Sequence, residues 1–142
     1  MYKKILVALD NTHADDSLLP HVARMAAICG AQLLLVHVAD GWAARNYERF
    51  QLQESDEMKT DRAYLNKKAE ELRAQGLHAT AQLALGNPPE EILKISEIEN
   101  CDLIAMTTHG HRFLGDLLYG STISKVRHHA QVPLLIVRAQ KV

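Results

Sequence analysis

The chain lacks the features that mark several large classes of protein. Its 142 residues hold two cysteines, Cys29 and Cys101, at no metal-binding or redox spacing. Isolated cysteines of this kind read as small buried hydrophobes in a reducing compartment. No charge sign dominates: 16 basic residues stand against 17 acidic ones, a formal net charge of -1. That balance leaves no electrostatic footprint for DNA, RNA or an anionic membrane. The N-terminal apolar run from Ile5 to Leu9 is too short for a signal peptide or a membrane span, so a cytoplasmic location is expected. There is no internal repeat and no low-complexity tract, and a single domain over 1–142 is expected.

Several motifs are absent too. No Gly-x-Gly-x-x-Gly follows the first apolar run; Asp10-Asn-Thr-His13 stands there instead. The stretch from Gly115 to Thr122 mimics a P-loop but has Ser121 where the lysine belongs. No nucleophile elbow is present, and Ser121 has no recognisable general base. Enzymatic turnover is therefore not the expected role, slow ATP hydrolysis at most. His109, His111, His128 and His129 have no Cys, Asp or Glu at ligand spacing, which argues against zinc.

What is present is a regular alternation. Apolar runs at Ile5–Leu9, Gln32–Val38, Ala79–Leu85, Leu103–Met106 and Pro133–Val137 read as strands. Helical spacing fills Leu18–Ile28, Asp56–Gln75, the segment opening at Pro88-Pro89, and Ser121–His129. Four of the five strands are apolar on both faces, which requires a sheet covered on both sides. The expected fold is α/β: a three-layer α/β/α sandwich around a doubly wound, five-stranded parallel sheet in the order 3-2-1-4-5. In such a sheet ligands bind beyond the carboxyl ends of the strands, where the strand order reverses. The ends of the first and fourth strands, at Asp10 and at Met106–Gly110, should then line one crevice.

The stretch Gly110 to Thr122 carries the chemistry. A glycine lies just past the fourth strand, and Gly120-Ser121-Thr122 is expected at the mouth of the last helix. Backbone N–H groups at a helix start attract anions, and glycines let a phosphate come close. A nucleotide is the first ligand to consider. The same glycines could instead serve a turn and close packing. Asp10 could cap a helix, or accept from a ribose hydroxyl or adenine amine, or hold Mg²⁺ through water.

Lys3–Asp10, Gly86-Asn87-Pro88, Thr108-His109-Gly110 with Gly120-Ser121, and Val132–Val137 together resemble the universal stress protein family over nearly the whole chain. In its nucleotide-binding members the signature is Gly, two residues, Gly, nine residues, Gly, then Ser or Thr. Gly110 and Gly120-Ser121 match its spacing, while Thr107 replaces its first glycine. The resemblance implies an adenine-nucleotide site, ATP foremost with Mg²⁺ carried by the nucleotide near Asp10. That site takes in Ala8, Asp10, Val38, Met106, Thr107, Thr108, His109, Gly110, His111, Arg112, Gly120, Ser121 and Thr122. Asp10 and Val38 would face the adenosine, and the loop from Thr107 with Ser121-Thr122-Ile123 would face ribose and phosphates. It also implies a homodimer paired through Pro133–Val137, with a regulatory role toward a protein partner still to be identified. A ligand-free dimeric interaction or adaptor protein of the same fold is the alternative. The segment Gly41–Ser55, with Trp42, Tyr47, Phe50, Arg45 and Arg49, is expected either to cover bound nucleotide or to pack its aromatics against protein.

Overall fold

The computed structural model describes residues 1–39, 56–108 and 116–140, with the backbone alone for 116–121. The described residues form strands β1 (Lys4–Ala8), β2 (Gln32–Ala39), β3 (Ala79–Leu85), β4 (Leu103–Thr108) and β5 (Leu134–Arg138). Between them lie helices α1 (Asp15–Cys29), α2 (Asp56–Ala74), α3 (Pro88–Ile98) and α4 (Asp116–His129). The strands pair in parallel in the order β3-β2-β1-β4-β5, the order expected from the alternation. Ile5 in β1 lies opposite both Leu33 in β2 and Leu103 in β4.

The all-apolar strands are explained by where their side chains go. Successive residues of a strand point to opposite faces. Ile5, Val7 and Leu9 enter a core with Leu18 and Val22 of α1 and Leu65 and Leu72 of α2. Leu6 and Ala8 enter a second core with Ile92 and Ile95 of α3 and Val126 of α4. Each face of the sheet is thus covered by two helices, the expected three layers. Ile5, Leu6, Val7 and Ile104 are fully buried. Each such side chain stabilises the fold by about 1.5–3 kcal/mol relative to exposure.

Two helices start earlier than the sequence pattern implies. Helix α1 begins at Asp15, not Leu18. The Thr12 side chain accepts from the Ala14 N–H at 3.2 Å, and turns from Asp15 to Thr12 and Asp16 to His13 wind the chain into the helix. Acidic Asp15 and Asp16 then sit in the first turn, where the helix dipole favours them. Pro20 consequently falls in the second turn, on the exposed side. Gly30 does end the helix as expected, in the left-handed region at φ 69° with its N–H on the Ala26 carbonyl.

Helix α4 begins at Asp116, not Ser121. Leu117 and Leu118 extend the helical run upstream, and an acid at its start suits the dipole. The backbone of Gly120 and Ser121 therefore lies inside the helix and not at its mouth. Gly41–Ser55 lies outside the described residues.

Candidate functional site

The strand order reverses between β1 and β4, and a cavity of about 320 Å³ opens beyond their carboxyl ends. A volume of that size is in the range of small-molecule sites. Ala8, Leu9 and Asp10 line it from β1, Val36 to Val38 from β2, and Met106 and Thr107 from β4. The roof comes from the start of α3 (Asn87, Pro88, Pro89, Ile92) and from α4 (Thr122, Ile123, Lys125). Seven residues expected at a site from the sequence thus meet in one cavity: Ala8, Asp10, Val38, Met106, Thr107, Thr122 and Ile123. Thr108 does not line it; it ends β4 opposite Arg138, and its carbonyl accepts from the Ala139 N–H at 2.8 Å. His109, Gly110, His111 and Arg112 lie outside the described residues, and Gly120 and Ser121 are described by their helical backbone only.

Thr107 is 4% exposed, and its hydroxyl donates to Asp10 Oδ2 at 3.2 Å. The residue that departs from the family signature therefore fastens the end of β4 to the end of β1. Asp10 is the single carboxylate among the described lining residues.

A polar cluster behind the cavity holds Asp10 in place. Asp15 has no exposed surface, yet its carboxylate accepts from the Asp10 N–H, the Asn11 N–H and the Tyr64 hydroxyl, each at 2.9 Å. Burial is the main force pushing its pKa up to about 6; the three hydrogen bonds pull it down and the neighbouring Asp10 charge adds to the rise. Asn11 takes a left-handed backbone, φ 58°, which asparagine tolerates better than most residues. Its Nδ2 donates to the Asp61 carbonyl at 3.2 Å and to Asp61 Oδ1 at 3.1 Å. His37 joins in from the cavity wall. A carbonyl can only accept, so His37 Nδ1 donates to the Leu9 carbonyl at 2.8 Å, while Nε2 faces Asp61 Oδ2 at 3.6 Å. Helices α1 and α2 are thereby tied to the turn after β1.

Sequence reasoning missed five residues here. Asn87 just before α3, and Pro89 and Ile92 on it, went unmarked, although Gly86-Asn87-Pro88 already stood out as a pattern. Lys125 follows Thr122 by three residues, which on a helix puts it on the same face. It is the one lysine or arginine among the described lining residues. Asp15 carried no signal beyond its spacing to Leu18 and Leu19 on the buried helix face.

This crevice at the switch point of a five-stranded parallel sheet defines a doubly wound α/β protein with a cavity where such folds bind ligands. The sequence matches the family model described as Universal stress protein family over residues 1–138, and the chain belongs to that family. Universal stress protein MJ0577 of Methanocaldococcus jannaschii is 27% identical, covering 97% of this chain and 96% of that protein. A solved structure of MJ0577 superposes with a TM-score of 0.78 at 29% identity, covering 100% of this chain and 99% of the other. The fold also matches a universal stress protein in complex with cAMP, with a TM-score of 0.72, 16% identity and 98% of each chain covered. A third match is the universal stress protein from Archaeoglobus fulgidus in complex with dAMP. Its TM-score is 0.70 at 20% identity, covering 96% of this chain and 98% of that one. Among the described residues, no helix is long and apolar enough to cross a membrane.

Proposed function

We propose that this chain binds an adenine nucleotide in the β1/β4 cavity and acts as a cytoplasmic regulatory factor of the stress response. The observation that carries the proposal is the meeting of Ala8, Asp10, Val38, Met106, Thr107 and Thr122 around one cavity. Its walls are graded. Val36, Val38, Pro88, Pro89 and Ile92 offer an apolar slot for a base, and Lys125 with Thr122 offers a cation and a hydroxyl for phosphate. The cAMP and dAMP complexes of its structural relatives support an adenine ligand. ATP is the first candidate. One lining carboxylate among the described residues, already bonded to Thr107, suits Mg²⁺ arriving on the phosphates and not a metal cage built by the protein. The role is binding, with a protein partner reading the bound state.

The functional unit proposed is a homodimer joined through β5. That strand is the last in the sheet order, and Ile136 on it is 39% exposed. A second copy pairing there would cover an apolar edge.

One observation favours the alternative, a ligand-free interaction module: Thr107 replaces a signature glycine and engages Asp10. Calorimetric titration with ATP, ADP, AMP and cyclic AMP, with and without Mg²⁺, decides between the two. Saturable heat with at least one supports the nucleotide reading. No heat and no melting shift with any of them at millimolar ligand leaves the interaction module.

A further inference from the structure

Asn87 stands immediately before α3 in extended backbone, φ -82° and ψ 121°. At that position an asparagine side chain ordinarily accepts from the second or third backbone N–H of the helix. Here it makes no such bond. The sequence gives the reason. Pro88 and Pro89 are the first two helical residues, and proline has no N–H, so one of the two usual donors does not exist. The turn is closed by the backbone instead, with the Glu91 N–H on the Asn87 carbonyl at 3.0 Å. The Asn87 carboxamide is solvent-exposed where it lines the cavity, and it makes no hydrogen bond to the described residues.

Its place in the cavity narrows what it can touch. The Gly86 N–H donates to the Ala39 carbonyl at 3.2 Å, which pins the loop beside the end of β2. Asn87 is therefore on the Val38 side, against the apolar slot, while Lys125 comes from α4 on the other flank. A phosphate has no reason to settle at Asn87. The start of α3 lacks its first two N–H groups and carries Glu90 and Glu91 in its first turn. A carboxamide offers one acceptor and one donor side by side. The edge of adenine offers the reverse pair, an amino donor next to a ring-nitrogen acceptor.

We infer that Asn87 reads the nucleobase: its Oδ1 accepts from the 6-amino group of adenine and its Nδ2 donates to the adjacent ring nitrogen. The inference rests on the nucleotide reading above and adds a specificity residue outside the glycine signature. A double-mutant cycle tests it, with AMP and purine riboside 5′-monophosphate, which lacks the 6-amino group, titrated into wild type and Asn87→Ala. In wild type, loss of the amino group should weaken binding by about tenfold, the scale of one well-made hydrogen-bonded pair to a base edge. In Asn87→Ala that penalty should collapse to about twofold or less, with the melting temperature unchanged because no cap bond is lost. A penalty that persists in the variant, or is absent from wild type, overturns the inference while the nucleotide reading stands. Failure of wild type to bind either nucleotide overturns both.

Discussion

The buried carboxylate of Asp15 gives the fold a pH dependence that can be isolated and measured. Its pKa in the folded protein is raised to about 6 from 3.8, because it sits without solvent contact behind the β1 turn. A raised acid pKa means the folded state holds the proton more tightly than the unfolded state. The stability this confers is fully present below pH 3.8 and is lost as pH rises through about 6. Between pH 7.5 and pH 5 the group should add about 1.4 kcal/mol, obtained by integrating the two titrations. Other residues titrate over the same range, so the useful quantity is the difference between wild type and Asp15→Ala. Removing the side chain takes the acceptor from the Asp10 and Asn11 N–H groups and the Tyr64 hydroxyl, which shifts stability at every pH. It also removes the titration. Urea unfolding of both proteins at several pH values should show the gap moving in wild type's favour by about 1.4 kcal/mol as pH falls to 5. A gap that stays constant, or moves the other way, would refute the buried-acid reasoning.

Other consequences are more local. Lys125→Ala should weaken ATP by about fivefold, the scale of one partly solvated charge-assisted contact, and leave adenosine affinity unchanged, as read by calorimetry. Ile104→Ala removes a fully buried side chain between two helices and should cost about 2–5 kcal/mol in urea unfolding; a loss under about 1 kcal/mol would contradict the core packing. Ile136→Lys should convert the proposed β5-paired dimer to monomer by light scattering at tens of micromolar, and a variant that remains dimeric places the interface elsewhere.

The sheet was legible because burial on both faces leaves a plain mark. Ile5–Leu9 and Leu103–Met106 are continuous apolar runs since Leu6 and Val7 each meet a different pair of helices. Helix starts were less legible. Ala14 precedes α1 and supplies no side-chain cap, so the acidic pair Asp15-Asp16 was the one cue to a start ahead of the apolar repeat at Leu18. The early start of α4 puts Ser121 inside the helix, so an anion-binding helix mouth at that serine is not available. At the site, the strand ends could be located from topology alone. Asn87 and Lys125 could not, since their approach depends on how α3 and α4 cross over the sheet. Asp15 was invisible for a related reason: burial of a helix-first acid is decided by Tyr64, which lies 49 residues away on α2.

The crevice between the ends of β1 and β4 is the proposed nucleotide site. A crystal structure of the protein grown with AMP tests it most directly. The base is expected in the slot between Val38 and Pro89, its edge against Asn87, and the phosphate toward Thr122 and Lys125. Nucleotide bound anywhere else on the chain, or a crevice filled by protein side chains alone at saturating AMP, would contradict it.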